Sequence, residues 1–413
     1  MYEVVMRELV IHVAMATDKN YIGQTMVAIK SIISRKNASS RYCFHLLADN
    51  VLEEDKEAFK KEFDNNYKDD LLDIICIDGM IEGARQMFHI SPTTCSRLLL
   101  PEILSEIKRC LWLDSDVIVM DDVESIYWMD FNDKLVFGVK ALPYHLMSGE
   151  AKDNYQAVTG IKKMNQYVNA GVLLMNLEEM RKESFCDKAL PLVAEHLPSQ
   201  DQDIINKICY NRIGFLSPKY NFAPKWIEDI NSRDCDSVFS PKEVTEALTQ
   251  PCIVHYCDGV KPWDFPESIL AEKWWSVCKK SAWFSFFYQK AENAFYYAVM
   301  NQKDALWNIK QNSKEWLEEI KKQERIYIYG FGKNAKNKVD ELTSLGVKIK
   351  GILVSEDGNL TPDNYNGIPI RHFPTNVEED AIILVATRKV HYKEIRDLLY
   401  THGIGKILYS SQL

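Results

Sequence analysis

The sequence predicts an α/β protein with two sheet-bearing parts. Three observations predict it. Short apolar strands alternate with helical segments over residues 9–120, a second alternating pattern begins at Arg325, and a stretch dense in aromatic residues lies between them. Strands separated by helices are the pattern of layered α/β folds. At 413 residues the chain exceeds the size at which one hydrophobic core stops growing, so more than one domain follows.

The elements justify this in order. Leu9 to Ala16 reads as an apolar strand, Asp18 to Gly23 as a turn and Thr25 to Arg35 as a helix. Tyr42 to Ala48 is the next strand, Glu53 to Asn65 a charged amphipathic helix and Leu71 to Asp78 a third strand. Arg109 to Met120 reads as one apolar strand interrupted by acids, and Pro262 to Pro266 closes the region. Glu272 to Asn308 holds Trp274, Trp275, Trp283, Phe284, Phe286, Phe287, Phe295, Tyr296, Tyr297 and Trp307. Aromatics at this density form a helical packing layer or a membrane-interface face; the acids mixed among the lysines favour packing. Lys310 to Arg325 is a charged linker helix. The second pattern comprises strands at Ile326 to Tyr329, Val347 to Val354, Ala381 to Ala386 and Lys406 to Tyr409, with helices at Lys336 to Leu345 and His391 to His402. The expected division is 1–270, 271–323 and 324–413.

Bulk properties exclude several classes. The formal net charge of -9 argues against nucleic-acid binding, which shows a basic footprint. The ten cysteines are scattered and form no CxxC pair, so a disulfide scaffold or zinc ribbon is not expected. The start of the chain, interrupted by Glu3, Arg7, Glu8 and His12, lacks the apolar region of a secretory signal, and no apolar run is long enough to span a bilayer. A cytoplasmic protein, with peripheral membrane contact through the aromatic stretch as the further option, is the expectation.

The most informative segment is Leu111-Trp-Leu-Asp114-Ser115-Asp116-Val-Ile-Val-Met120. Two carboxylates spaced i, i+2 in a regular strand share one face. Burying two like charges there is costly unless something positive lies between them. Carboxylates suit Mg²⁺ or Mn²⁺, and an added imidazole favours Mn²⁺. The alternative is a strand end whose acids face water. Tyr167-Val-Asn169-Ala-Gly171 puts a Gly ahead of a buried strand, where a ligand can approach the backbone. Gln200-Asp201-Gln202-Asp203 opens a helix with acids, which capping explains only in part. His255 is followed six residues later by Lys261, a point charge suited to a phosphate.

These segments resemble glycosyltransferase family 8, which includes bacterial lipooligosaccharide galactosyltransferases and glycogenin. The matching residues run from Ala16-Thr-Asp18-Lys-Asn20-Tyr21 through His89-Ile-Ser-Pro-Thr-Thr-Cys-Ser-Arg97, the acidic segment, Asn169-Ala-Gly171 and Asp201-Gln202-Asp203 to His255…Gly259…Lys261-Pro-Trp263, in the family's order over about residues 9–265. The resemblance implies a GT-A nucleotide-diphospho-sugar transferase fold and retention of anomeric configuration. It implies that Asp18 and Asn20 bond the uracil of a UDP-sugar donor and Tyr21 stacks on it, with Ala16 and Ser115 also in the donor site. Asp114, Asp116 and His255 would hold Mn²⁺ (or Mg²⁺), and Gly259 and Lys261 would close over the phosphates. Arg97 would reach the donor sugar or diphosphate, and Asn169, Asp201 and Gln202 would surround the transferred hexose, galactose or glucose, which passes to a saccharide, lipid-linked or protein acceptor; Arg97, Asp201 and Gln202 are the catalytic candidates. The family's pattern is departed from at Asp258, Cys95, Lys140 and Ala141, which leaves the choice of hexose open.

Gly330-Phe-Gly332-Lys-Asn-Ala335 after a strand approximates a dinucleotide fingerprint. It resembles the small Rossmann-like domains appended to some bacterial sugar transferases, and a structural, recruitment or oligomerisation module is favoured over a working NAD site. Two competing readings stay open: a catalytically idle sugar-nucleotide-binding scaffold, and an oxidoreductase centred on Gly330 to Ala335, which leaves the N-terminal motifs unexplained.

Overall fold

The computed structural model describes residues 10–81, 83, 92–227, 230, 235, 237–291, 320–355, 362–374, 377–378, 380–387 and 391–409. His89, Phe295, Tyr296, Tyr297 and Trp307, singled out above, lie outside them. The chain divides into two compact units, Met1–Cys257 with Ile269–Phe284, and Asp258–Ser268 with Ser285–Leu413. This differs from the three-part sequence division at two places. Asp258–Ser268 joins the second unit because Val260 and Phe265 pack into that unit's core. Ile269–Phe284 joins the first because Trp274 is buried and Trp283 packs against the first unit's core.

The first unit is built on a seven-stranded sheet. Its strands are β1 (Val10–Asp18), β2 (Arg41–Asp49), β3 (Leu71–Cys76), β4 (Cys110–Leu113), β6 (Val136–Lys140), β7 (Val168–Met175) and β8 (Ile213–Phe215), in the order β3-β2-β1-β4-β7-β6-β8. The pairs β1–β2, β2–β3, β1–β4 and β6–β8 are parallel, whereas β7 runs antiparallel to β4 and β6. A separate ribbon pairs β5 (Val117–Val119) with β9 (Ile253–His255) antiparallel. Continuous apolar runs such as Cys110-Leu-Trp-Leu113 are buried on both faces, as expected where helices cover both sides of a sheet. On one face Ile11, Val13 and Met15 pack with Ile29 and Phe44; on the other Ala14 and Leu47 pack with Trp112 and Leu173.

Near the start of the first two strands this alternation is broken. His12, whose register partner is Cys43, stands on the same side of β1 as Ala14, and His45 follows on β2. Burial and the neighbouring His45 hold the His12 imidazole down at about 4, and burial lowers His45 against the pull of Asp73.

The second unit carries a six-stranded sheet of β10 (Ile326–Tyr329), β11 (Ile349–Ser355), β12 (Asn364–Tyr365), β13 (Ile368–Phe373), β14 (Ile382–Val385) and β15 (Lys406–Tyr409), ordered β12-β13-β11-β10-β14-β15. All its pairs are parallel except the β12–β13 hairpin. The helices Lys333–Ser344 and Tyr392–Thr401 match the sequence expectation to within a few residues. The hairpin was not expected. Its turn, Asn366-Gly367, has both residues at positive φ (52° and 81°), the arrangement that favours Asn-Gly in a two-residue hairpin loop. Among the described residues no helix is long and apolar enough to cross a membrane.

Candidate functional site

Where the sequence reads as one strand, the chain changes sheets. β4 ends at Leu113 in the seven-stranded sheet and β5 begins at Val117 in the ribbon. Asp114, Ser115 and Asp116 therefore occupy the turn between two sheets, not one face of a strand spanning Arg109 to Met120. Four hydrogen bonds fix that turn. Asp114 N donates to Gly171 O at 2.8 Å and Tyr256 N to Asp116 O at 3.0 Å. Ser115 Oγ donates to Ala16 O at 2.6 Å and accepts from Thr25 Oγ1 at 2.8 Å.

Register brings the imidazole to the acids. His255, the last residue of β9, pairs with Val117 of β5, so its ring lies beside the turn. His255 Nε2 is 3.2 Å from Asp116 Oδ1 and 3.6 Å from Asp114 Oδ2. One ligand atom from each of the three residues lies within 4.8 Å of the others. Gly171 makes this possible: a Cβ there would stand 2.1 Å from His255 Cε1. The sequence suggested that the glycine admits a ligand; what it admits is the His255 ring. Two carboxylate oxygens and one imidazole nitrogen, gathered where a side chain would block them, fit a divalent cation of the Mg²⁺ or Mn²⁺ type.

A chain of side-chain amides sets which ring nitrogen faces the acids. Backbone N–H groups can only donate. Gly171 N donates to Asn169 Oδ1 (2.9 Å) and Ala170 N to Gln202 Oε1 (3.0 Å), so both oxygens are acceptors. Asn221 must then present Nδ2 to Asn169 Oδ1 (2.8 Å), which leaves its Oδ1 to accept from His255 Nδ1 (2.8 Å). In turn Asn169 Nδ2 donates to Gln202 Oε1 (3.1 Å), Gln202 Nε2 to the Tyr167 hydroxyl (3.1 Å), and that hydroxyl to Asp203 Oδ1 (2.6 Å). Every donor points the same way, from His255 to the buried Asp203. His255 therefore carries a hydrogen on Nδ1, and it is Nε2, the lone-pair nitrogen of the neutral ring, that faces Asp114 and Asp116. Asp203 also accepts from Tyr155 (2.7 Å) and from Ser199 N (2.7 Å); burial raises its carboxyl above the usual range despite these bonds.

Arg97 is 2% exposed and holds the other side of the site. Its Nη2 bonds Asp114 Oδ1 at 2.8 Å, its Nε lies 2.8 Å from Asp201 Oδ2, and its Nη1 donates to Ala170 O. Its guanidinium lies 4.6 Å from the centre of the Trp112 ring, while Trp112 Nε1 donates to Asp114 Oδ1 at 2.8 Å. Burial works against the guanidinium charge, but Asp114 and Asp201 outweigh it and keep Arg97 protonated. Burial likewise drives the Asp201 carboxyl upward, with Arg97 opposing. Thr94 Oγ1 occupies Asp201 Oδ1 at 2.9 Å.

The structure thus gathers Arg97, Asp114, Asp116, Asn169, Asp201, Gln202 and His255 into one connected cluster, with Ala16 and Ser115 joined to it by a hydrogen bond. Asp18 ends β1; its Oδ1 accepts from Asn20 N at 2.8 Å and its carbonyl from Tyr21 N at 3.0 Å. Tyr21 O in turn accepts from Thr25, which reaches Ser115. Gly259 and the buried Lys261 fall in Asp258–Ser268, within the second unit. Lys140, at a position where the resemblance leads one to expect an acid, donates to Val238 O at 3.1 Å. Sequence reasoning missed Asn221, Trp112 and the Tyr155–Tyr167 pair. Asn221, fully buried between Tyr220 and Phe222, offered one signal: a polar residue between two aromatics.

The chain is similar to known proteins. The family model for Glycosyl transferase family 8 matches residues 12–266. General stress protein A of Bacillus subtilis (strain 168) is 27% identical over 45% of this chain and 64% of its own length. Lipopolysaccharide glucosyltransferase WaaO of Escherichia coli (strain K12) is 23% identical over 65% of this chain and 78% of its own. The chain spans less than two thirds of the first of these. Among solved structures, the galactosyltransferase LgtC in complex with donor and acceptor sugar analogues superposes with a TM-score of 0.58 at 25% identity, covering 66% of this chain and 96% of that one. The fold of the first unit is GT-A. With the match running from β1 to the segment beyond His255, through every residue of the cluster, the chain belongs to glycosyltransferase family 8.

Proposed function

We propose that this glycosyltransferase moves a hexose, galactose or glucose, from a UDP-sugar to a saccharide, lipid-linked or protein acceptor, with retention of configuration and dependence on Mn²⁺. One observation carries the reading: Nε2 of His255 converges with Asp114 and Asp116 in a space that only glycine at 171 leaves open. Three carboxylates, Asp114, Asp116 and Asp201, face one guanidinium, so the site carries an excess of negative charge that a divalent cation offsets. Asp114, Asp116 and His255 would hold such a cation, which would supply positive charge to the leaving diphosphate.

The chain's own residues do the rest. Asp18, Asn20 and Tyr21 at the end of β1 bind the uracil. Arg97, locked by two carboxylates and a carbonyl, cannot swing and presents a fixed positive charge where charge develops. Asn169 and Gln202 have their amide oxygens fully engaged and form a rigid wall beside the sugar. Retention by double displacement needs a carboxylate nucleophile. Both Asp201 oxygens are already bonded, to Thr94 and Arg97, and Gln202 is a poor nucleophile. This favours front-face attack, in which the acceptor oxygen bonds to the anomeric carbon as the phosphate leaves and the acceptor's proton passes to that phosphate.

The test is a donor screen reading UDP release with and without Mn²⁺, on the full chain and on the Asp114→Ala/Asp116→Ala double variant. Release that needs Mn²⁺ and disappears in the variant is expected; release that persists in chelator would leave a metal-free transferase, and no release from any donor would leave the idle scaffold. A glycosyl adduct trapped on Asp201 would rule out front-face attack.

A further inference from the structure

Two groups of metal-capable side chains occur among the described residues, and only one belongs to the site above. The other is His12, Cys43 and His45, on one face of β1 and β2. Parallel pairing fixes it: His12 stands directly opposite Cys43, and His45 lies two residues on, so all three project to the same side. Their ligand atoms lie within 4.8 Å of one another. His12 Nδ1 and His45 Nε2 are 3.0 Å apart and the rings stack at 5.3 Å with 17° between planes. His12 is six residues back from Asp18 along β1, about 20 Å from the carboxyl edge of the sheet at the usual rise of a strand.

A second observation points to a ligand rather than to core filling. The outer nitrogen of His45, Nδ1, is 3.5 Å from Asp73 Oδ2 on β3, its register partner. A carboxylate behind an imidazole whose other nitrogen faces two more donors is the supporting arrangement that orients metal-bound histidines. Asp73 lies on the edge strand of the sheet and its side chain is 57% exposed, so the buried His45 leads from the cluster to a carboxylate that meets solvent. Beside them on that face Ala14, Leu47, Cys110 and Trp112 are apolar core, so the two imidazoles and the thiol are a polar group set into an apolar layer.

We infer that His12, Cys43 and His45 form a three-ligand site for a borderline transition metal, zinc in the first instance, with Asp73 orienting His45 and the fourth position open to water. Two imidazoles and a thiolate bind zinc-type ions at tetrahedral distances and disfavour Mg²⁺ and Mn²⁺, which prefer oxygen. The chain then holds two chemically distinct sites: an O,O,N set at the carboxyl edge of the sheet and an N,N,S set near the opposite edge. Binding releases the Cys43 thiol proton to solvent and changes no oxidation state.

Metal analysis of the full chain carrying Asp114→Ala/Asp116→Ala, equilibrated with zinc and then dialysed, reads the site without the other set. One zinc equivalent is expected, falling at least roughly tenfold in affinity when Cys43→Ser or His12→Gln is added. Wild type loaded with cobalt(II) should show thiolate-to-metal charge-transfer absorption in the near ultraviolet that Cys43→Ser abolishes. Absence of that band in the wild type would overturn the inference whether or not either variant folds. So would a band of unchanged strength in Cys43→Ser, which would assign it to another cysteine. Sugar transfer by Cys43→Ser under Mn²⁺ should be unchanged, which separates failure here from failure of the transferase reading.

Discussion

The first unit's sheet and the second unit's sheet are both largely parallel and flanked by helices, yet their carboxyl edges differ in kind. At the first, β1 ends at Asp18, β4 ends beside Asp114 and the antiparallel β7 begins beside Asn169, and buried carboxylates, amides and a guanidinium interlock. At the second, the turn after β10 is Gly330-Phe331-Gly332, where Phe331 packs edge-on against Tyr365 with Lys336 above it, 4.3 Å from its ring centre. Gly330 is required: its φ is 113° and a Cβ would lie 2.8 Å from Thr387. Gly332 is not, because nothing lies within 4 Å of a Cβ there. A shared architecture therefore says little about where chemistry sits; the buried polar atoms that hold one another in place say much more.

The sharpest way to break this comparison is Asp201→Ala. It strands Arg97 in a buried setting with one carboxylate fewer, and removing one partner of such a pair costs about 3–5 kcal/mol. Urea unfolding of the first unit should show a loss of that size; a loss under about 1 kcal/mol would mean that the cluster is not interlocked. Next in size, Gly171→Ala forces the His255 ring aside, and transfer should fall roughly 100-fold, the scale on which misplacing a catalytic group acts. Asn221→Ala leaves His255 in place but frees its tautomer, so Mn²⁺ affinity should drop about 10–100-fold by titration calorimetry.

How much of this was legible beforehand follows the same division. The strand-helix alternation and the second sheet could be read because apolar periodicity is local. The Asp114–Asp116 spacing could be read too, but not its geometry: nothing in a continuous apolar run announces that the backbone leaves one sheet for another at its only polar point. His255 was visible through its spacing to Lys261. Asn221 and Tyr167 were not, since their roles depend on contacts made across 34 and 36 residues of sequence. The β12–β13 hairpin was missed although Asn366-Gly367 is a strong local signal.

Smaller effects are expected in the second unit. Glu378 accepts from Lys350 and from the Tyr327 hydroxyl at 2.9 Å, and Lys350 chiefly holds its carboxyl down at about 2. A carboxylate with a depressed folded value stabilises the fold above its unfolded value and loses that contribution as pH falls. The protection factors of the β10 amides, taken relative to the intrinsic exchange rate at each pH, should therefore fall between the ordinary 4.5 and about 2. Because the pair is near the surface, the change is expected to stay within about 1 kcal/mol. Smallest of all, Gly332→Ala has an ordinary φ of -72° and open space, so unfolding should shift by less than about 0.5 kcal/mol. A large change there would mean that this edge too is built around a close-approaching group.

The one-way run of donors from His255 to Asp203 has a consequence for evolution of the site. Its sense is imposed by the main-chain amides of Ala170 and Gly171, which no substitution at the wall can invert. Side chains along the run are exchangeable only for others that accept at one end and give at the other, so Asn221→Asp or Gln202→Glu would terminate the relay rather than reverse it. The strand backbone itself thus legislates which face of the imidazole stays bare.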